Sequence, residues 1–374
     1  MTLSISCRFD AGAIEVQSIQ DADDIRVAVR ADTRAEFRQW FYFRLQGARD
    51  AACRIRFTNA GACTYVEGWK QYAVVASYDR ETWFRVPTTF DGTELVVTHA
   101  PRYDSVYYAY FEPYEWDRHL ALLGRVGRSP RASITRLGST LEGRDLDLVT
   151  IGEAAAGKAP IWCIARQHPG ETMAEWFVDG LLTRLIDPRD AMARTLLEGA
   201  VFHVVPNMNP DGACAGNLRT NAAGANLNRE WLAPSLERSP EVLVVRDAMQ
   251  RTGAAVFLDV HGDEGLPYVF VDGCERLPSY TPAHGEREAR FTEALRAANP
   301  DFQTEVGYPR NKDTKVNLAL ASKWAGDRFG CLSLTLEMPF KDNANLPDTE
   351  VGWSGARSAR LGADLLPALR AVLS

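Results

Sequence analysis

The sequence predicts an all-β antiparallel sandwich over residues 1–113, followed by an α/β domain over 114–374 with a mixed central sheet and helices on both faces. Three observations carry this. Up to about residue 110 the chain runs in short aromatic and β-branched segments separated by Gly, Asp, Asn or Pro turns, as in an antiparallel sandwich. From about residue 120, apolar strands alternate with stretches whose apolar residues recur at helical spacing, which implies a sheet covered on both sides. Each later strand ends on a cluster of polar residues, the place where ligand sites of such sheets gather.

The N-terminal strands are FRQWFYFRL, CRIRFTNA, YAVVASYD, TWFRVPTTF, ELVVTHA and SVYYAYF. A helix-like stretch, YEWDRHLALLGRV, leads into the second domain. There IWCIARQ (161–167) has the apolarity of a buried strand and runs into the amphipathic TMAEWFVDGLLTRLI. VFHVVPN, AAVFLDVHG and CLSLTLEMPF repeat the theme, while EAAAGKAP reads as a loop and NPDG (209–212) as a turn.

Composition narrows the function classes. A chain of 374 residues, 46% hydrophobic and 24% charged, suits a soluble two-domain protein with a sizeable core. A net charge of -7 without any Lys/Arg block argues against nucleic acid or an anionic membrane as partner. No apolar run reaches the roughly 18 residues of a membrane span, and MTLSISCRFDAGAIEV lacks the pattern of a secretory signal. The seven cysteines include no C-x-x-C pair, and several sit in apolar runs such as IWCIA. Buried free thiols in a reducing compartment follow, and with them a cytoplasmic location. G-x-S-x-G, G-x-x-x-x-G-K-[ST] and G-x-G-x-x-G are all missing, which leaves other enzyme classes without support.

The residues equipped for chemistry sit at strand ends. His168 and Glu171, in HPGE after IWCIARQ, are three apart across a Pro-Gly turn and can aim an imidazole and a carboxylate at one point. His261 ends another apolar strand in LDVHGDE. An H-x-x-E pair alone arises readily by chance, and a lone histidine at a strand end is usually a core hydrogen-bonder. Two histidines and a glutamate at strand ends of one sheet form the three-ligand set of a catalytic zinc, with a position left for water. His99, His119, His203 in VFHVV and His284 in a polar loop offer no such grouping. GNLR (216–219) and NLNREW (226–231) bring Arg219, Asn228 and Arg229 into one loop, and a guanidinium fork matches a carboxylate. The same arginines also fit a plain surface role. Glu337, in SLTLEMPF, is a carboxylate on an apolar strand, where burial without a partner is costly. Amide hydrolysis at zinc needs such a group off the metal, to deprotonate the bound water and protonate the leaving amine.

In this order and spacing, HPGE, GNLR, NLNREW, DVHG and TLE resemble the M14 metallocarboxypeptidases, and in particular their cytosolic carboxypeptidase branch, which also carries a β-sandwich in front. The resemblance spans nearly the whole chain. It implies a carboxypeptidase-like fold and one zinc (Zn2+) per chain on His168, Glu171 and His261. It gives Arg219 the oxyanion, Asn228 and Arg229 the substrate's terminal carboxylate, and Glu337 the proton transfers. Tyr308, in VGYPRNKDTK, resembles the tyrosine that covers bound substrate. The implied partner is a peptide or protein C-terminus, with acidic residues such as Glu among those removed. Arg166, Arg310, Lys312, Lys315 and Lys323 are candidates for a basic pocket. One departure concerns Asn226, which stands where the family usually has an Asp supporting the first metal-bound histidine; an amide oxygen accepts the ring N–H without adding charge. The rivals are an aspartoacylase-like zinc amidohydrolase of N-acyl amino acids and a non-catalytic binding protein with a degenerate site. The sandwich and the paired GNLR and NLNR motifs favour the peptidase.

Overall fold

In the computed structural model, which describes residues 2–309 and 316–373, the second half of the chain builds a seven-stranded sheet. Its order is Ala132–Ser139, Asp145–Ile151, Ala200–Val205, Ala159–Ala165, Val256–Asp263, Leu332–Pro339, Phe270–Asp272. The four strands from Ala200–Val205 to Leu332–Pro339 are parallel, and the flanking pairs are antiparallel. Parallel strands are buried on both faces, which is why they read as near-continuous apolar runs. Along Ala159–Ala165 the side chains alternate. Ile161, Cys163 and Ala165 join a core with Phe177, Leu181, Leu361 and Leu369, while Trp162 and Ile164 join another with Val242, Val245, Met249 and Ala325. Helices therefore cover both faces, as the sequence predicts.

The connections position the site. From Ala159–Ala165 the chain crosses through Met173–Ile186 and Ala191–Gly199 to the neighbour on one side, Ala200–Val205. It then crosses through Pro240–Thr252 to the neighbour on the other side, Val256–Asp263. The direction of winding thus reverses at Ala159–Ala165, and a crevice opens at the carboxyl ends of the two diverging strands.

The N-terminal half stacks two five-stranded sheets around aromatic residues such as Phe41, Phe43, Phe57 and Tyr110. Pairing is antiparallel except between Ile25–Ala28 and Cys53–Phe57. The chain between those two visits the other sheet through Tyr42–Gln46, a crossover long enough to bring it back parallel. The junction is buried: Tyr110 and Phe111 are fully enclosed, and Tyr110 stacks on Phe340 at 4.5 Å. Arg85 reaches across to the carbonyls of Phe340, Val351 and Trp353.

Two local expectations are corrected. NPDG opens the short helix Pro210–Ala215 rather than a bare turn: Asn209 caps it by accepting from Gly212 N–H, and Pro210 fills the first position, where no N–H is needed. His284 lies in the helix Pro282–Ala298, not in a loop, and closes a capping box with Thr281. All seven cysteines are free thiols, and no described helix is long and apolar enough to cross a membrane.

Candidate metal centre and catalytic site

The crevice collects the metal-site candidates. His168 and Glu171 follow the strand Ala159–Ala165 in a tight turn, and His261 lies within Val256–Asp263. Gly170 makes the turn possible, because it donates its N–H to Leu218 O and a Cβ there would lie 2.9 Å from the same oxygen. Glu171 Oε1 lies 2.7 Å from His168 Nδ1 and Oε2 lies 2.7 Å from His261 Nδ1; the two ring nitrogens are 3.2 Å apart. All three residues are at most 3% exposed.

The outer ring nitrogens fix the tautomers. His168 Nε2 faces Asn226 Oδ1 at 3.0 Å, and His261 Nε2 faces Asp259 Oδ1 at 2.9 Å. Both outer nitrogens can donate to these acceptors, which turns both Nδ1 atoms toward Glu171, where they could serve as ligands once deprotonated. Burial and the nearby Arg219 push His168 down to about 4, whereas Asp259 and Glu171 outweigh burial and hold His261 well above its ordinary range. A buried position that draws positive charge between carboxylates, bordered by two imidazole nitrogens and one carboxylate, fits a zinc ion. Asp259 is itself held by two N–H bonds from Gln167, whose oxygen accepts from Trp231.

Glu337 lies opposite His261 in register on the next strand. It is buried, its Oε2 has no partner among the described residues, and its Oε1 is 3.0 Å from the hydroxyl of Tyr308, which also approaches Asp263 Oδ2 at 2.8 Å. Burial holds the Glu337 carboxyl well above its usual range, and Glu171 and Asp263 add to this against the pull of His261. Glu264, which sequence reasoning missed, is a second buried carboxyl here, pushed up to about 8 by burial first and then by Glu171.

Arg219 lies near this centre with its guanidinium 5.5 Å from the ring of Tyr65 and 5.9 Å from that of Phe37, both from the N-terminal half. Burial lowers its pKa, but Tyr65, Glu264, Glu171 and Glu337 together raise it above the ordinary value. Asn228 is buried between the strands, with Oδ1 accepting from Ala321 N–H and Nδ2 3.3 Å from His261 Nε2. Arg229 donates to Asn228 O, and burial together with Arg219 lowers its pKa. Arg219 therefore sits among negative charges, whereas Arg229 lies close enough to Arg219 to feel its positive charge.

The basic-pocket candidates fare differently. Arg166, at φ 58 directly after its strand, is buried and donates to Glu175, Tyr114 O and Pro169 O; it braces the HPGE turn and does not face substrate. Lys323 is buried against Asp272 and Gly273 O. Arg310, Lys312 and Lys315 lie outside the described residues. Asp259 had a signal in the sequence, because it sits two residues before His261 on one strand and shares its face. Tyr65 and Glu264 had none.

This fold, with two histidines and a glutamate at a switch point and a buried carboxylate beside them, defines a metallopeptidase class. Two family models divide the chain accordingly: the cytosolic carboxypeptidase N-terminal domain matches residues 5–111 and zinc carboxypeptidase matches residues 125–351. The chain belongs to the M14 zinc carboxypeptidase family and is a metallocarboxypeptidase. A metallo-carboxypeptidase structure from Burkholderia cenocepacia is 59% identical over 98% of each chain, with a TM-score of 0.97. A metallo-carboxypeptidase from Pseudomonas aeruginosa, solved with (2-guanidinoethylmercapto)succinic acid, is 47% identical over 99% of this chain and 98% of that one, with a TM-score of 0.95. Cytosolic carboxypeptidase 6 of Caenorhabditis elegans is 25% identical over 90% of this chain and 79% of its own length.

Proposed function

We propose that this chain removes C-terminal residues from peptides or proteins with one zinc ion held by His168, Glu171 and His261. The observation that carries this is the convergence of three buried ligand atoms within 4.8 Å of one another, beside a carboxyl one of whose oxygens has no partner among the described residues. When bound, zinc supplies Lewis-acid polarisation of the scissile carbonyl and acidifies water. Glu337 takes the proton of the attacking water at Oε2 and delivers it to the leaving nitrogen as the C–N bond breaks. Arg219 donates to the carbonyl oxygen as negative charge develops on it. Asn228 and Arg229 hold the terminal carboxylate, which confines cleavage to the last residue, and Tyr308 closes over the substrate with its hydroxyl next to Glu337.

An acidic final residue, glutamate in particular, is the proposed preference. Supporting it is the state of Arg229, held low by burial and by the neighbouring Arg219, which an anion placed beside it relieves. We assign residues 1–113 and 114–374 to the two domains, and the cytoplasm as location; free thiols and the naming of relatives as cytosolic support the latter. The test is a ladder assay on peptides ending in Glu, Lys, Leu or Phe, each with a free and an amidated C-terminus, alongside zinc analysis. Stepwise loss from free termini alone, fastest for Glu, is the expected result. Equal cleavage of amidated peptides, or protein that stays free of metal in excess zinc, overturns the reading.

A further inference from the structure

The N-terminal half approaches the catalytic loop through one buried carboxylate. Asp32, 6% exposed, accepts from three consecutive backbone N–H groups of the 218–220 segment: Leu218 at 2.6 Å and Arg219 at 2.7 Å, one to each oxygen, and Thr220 at 2.9 Å. The hydroxyl of Thr220 adds a fourth bond at 3.1 Å. Around it, Thr33 donates to Asn217 Oδ1 from both its N–H and its hydroxyl, and Arg30 donates to Ala215 O. Charge-assisted bonds are about twice as strong as neutral ones, and a carboxylate meeting three successive amides fixes the backbone there. The guanidinium of Arg219 then lies near Phe37 and Tyr65, so backbone and side chain of one residue are both gripped by the preceding half of the chain. The carboxylate and both aromatic rings that do this come from the sandwich, which carries none of the proposed catalytic groups.

We propose that Asp32 is a positioning residue for the reaction: it aims Arg219 at the carbonyl oxygen, with Phe37 and Tyr65 flanking the guanidinium. This rests on the reading of Arg219 as the oxyanion donor. It makes the N-terminal half part of the catalytic apparatus without contributing a ligand or a proton carrier. An arginine that acts on the developing charge contributes to kcat more than to KM. Misplacement of a catalytic group by about 1 Å can lower the rate by about a hundredfold.

The experiment is a double-mutant cycle on one free-carboxylate peptide, with zinc content measured on every variant. Asp32→Asn preserves shape but turns amide hydrogens toward N–H donors. It is expected to lower kcat by about ten- to a hundredfold with full zinc and little change in KM. In an Arg219→Ala background the same substitution should lower kcat by less than about threefold, because the residue it positions is gone. A loss of equal size in both backgrounds overturns the proposal, as does wild-type kcat in Asp32→Asn or a loss that tracks zinc. Phe37→Leu, which leaves the carboxylate contacts intact, is run through the same cycle and decides the matter if Asp32→Asn does not fold. Wild-type turnover in Arg219→Ala alone overturns the oxyanion reading first and this proposal with it, so the two failures are distinguishable.

Discussion

Glu337→Gln separates the proposed proton carrier from the proposed metal ligands. The substitution keeps the shape of the side chain, and the amide oxygen can still receive the hydroxyl of Tyr308 that now lies 3.0 Å from Oε1. What disappears is the basic oxygen Oε2, buried and without a partner among the described residues. Because burial already disfavours the charged carboxylate, removing it should leave folding stability unchanged or slightly raised. General acid–base catalysis contributes about 10²–10⁴-fold, equivalent to about 3–5 kcal/mol in the barrier. The expected variant therefore binds a full equivalent of zinc, shows a wild-type urea midpoint and loses at least about a hundredfold in kcat. Steady-state kinetics on a free-carboxylate peptide, elemental analysis and urea unfolding provide the three readings. A kcat within about threefold of wild type at full zinc occupancy removes Glu337 from proton transfer. Loss of zinc in parallel with activity places it among the ligands instead.

Asn226→Asp should raise zinc affinity about tenfold, since a charged acceptor makes imidazole a stronger ligand; chelator competition reads this, and unchanged affinity removes residue 226 from the support of His168. Gly180→Ala should cost about 1–3 kcal/mol in urea unfolding, because its Cβ would lie 1.8 Å from Ala359 O where Met173–Ile186 crosses Gly355–Ala363; a neutral result contradicts that close approach. His119, buried against Glu175 at 2.6 Å, is pushed up to about 9, since Glu175 and Asp147 outweigh the burial that would lower it. Its folded pKa exceeds the ordinary 6.5, so its stabilisation is full below that pH and disappears as pH rises through about 9. Wild type should therefore exceed His119→Gln in stability at pH 6 by more than at pH 9.5, and a difference independent of pH refutes the charge pairing.

The parts of this molecule that were legible in the sequence are those written in local pattern. Val256–Asp263 and Leu332–Pro339 announce themselves as apolar runs because a parallel strand buries both faces, and His261 and Glu337 stand out as polar exceptions at their ends. The helix Met173–Ile186 shows its period for the same reason. Residues whose importance comes from long-range contact were not legible. Asp32 reaches Arg219 across 187 positions, and nothing near it in sequence marks it as different from a turn aspartate. Arg166 was misread in the other direction: a cation after a strand resembles a pocket residue until its left-handed backbone turns it inward onto Glu175. NPDG has a turn composition, yet the features that make a turn, an Asn acceptor and a Pro, also start a helix.

The unequal support behind the two histidines follows from the charge already present. Glu171, Asp259, Glu264 and Glu337 are all buried around one crevice, and Asp263 adds its charge to the carboxyls beside it. Asp259 gives His261 a negative partner, while His168 has the neutral Asn226. An aspartate at 226 would strengthen the support of His168 but add a further negative charge beside His168, in the crevice that also holds Glu337, whose carboxyl is already held high by burial, Glu171 and Asp263. Like charges disfavour the ionised form, and Glu337 must be ionised to accept a proton. Asn226→Asp should therefore trade tighter zinc for a weaker supply of ionised Glu337. If Glu337 carries the proton as proposed, activity should fall on the acidic side as it takes up its proton, and the acidic limb of kcat/KM should move to higher pH in the variant. Glu337→Gln supplies the control, since its residual activity should lack that limb altogether. An acidic limb that stays at the wild-type position in Asn226→Asp, with zinc bound, means that charge at residue 226 does not reach Glu337, and the neutral amide then has no catalytic advantage.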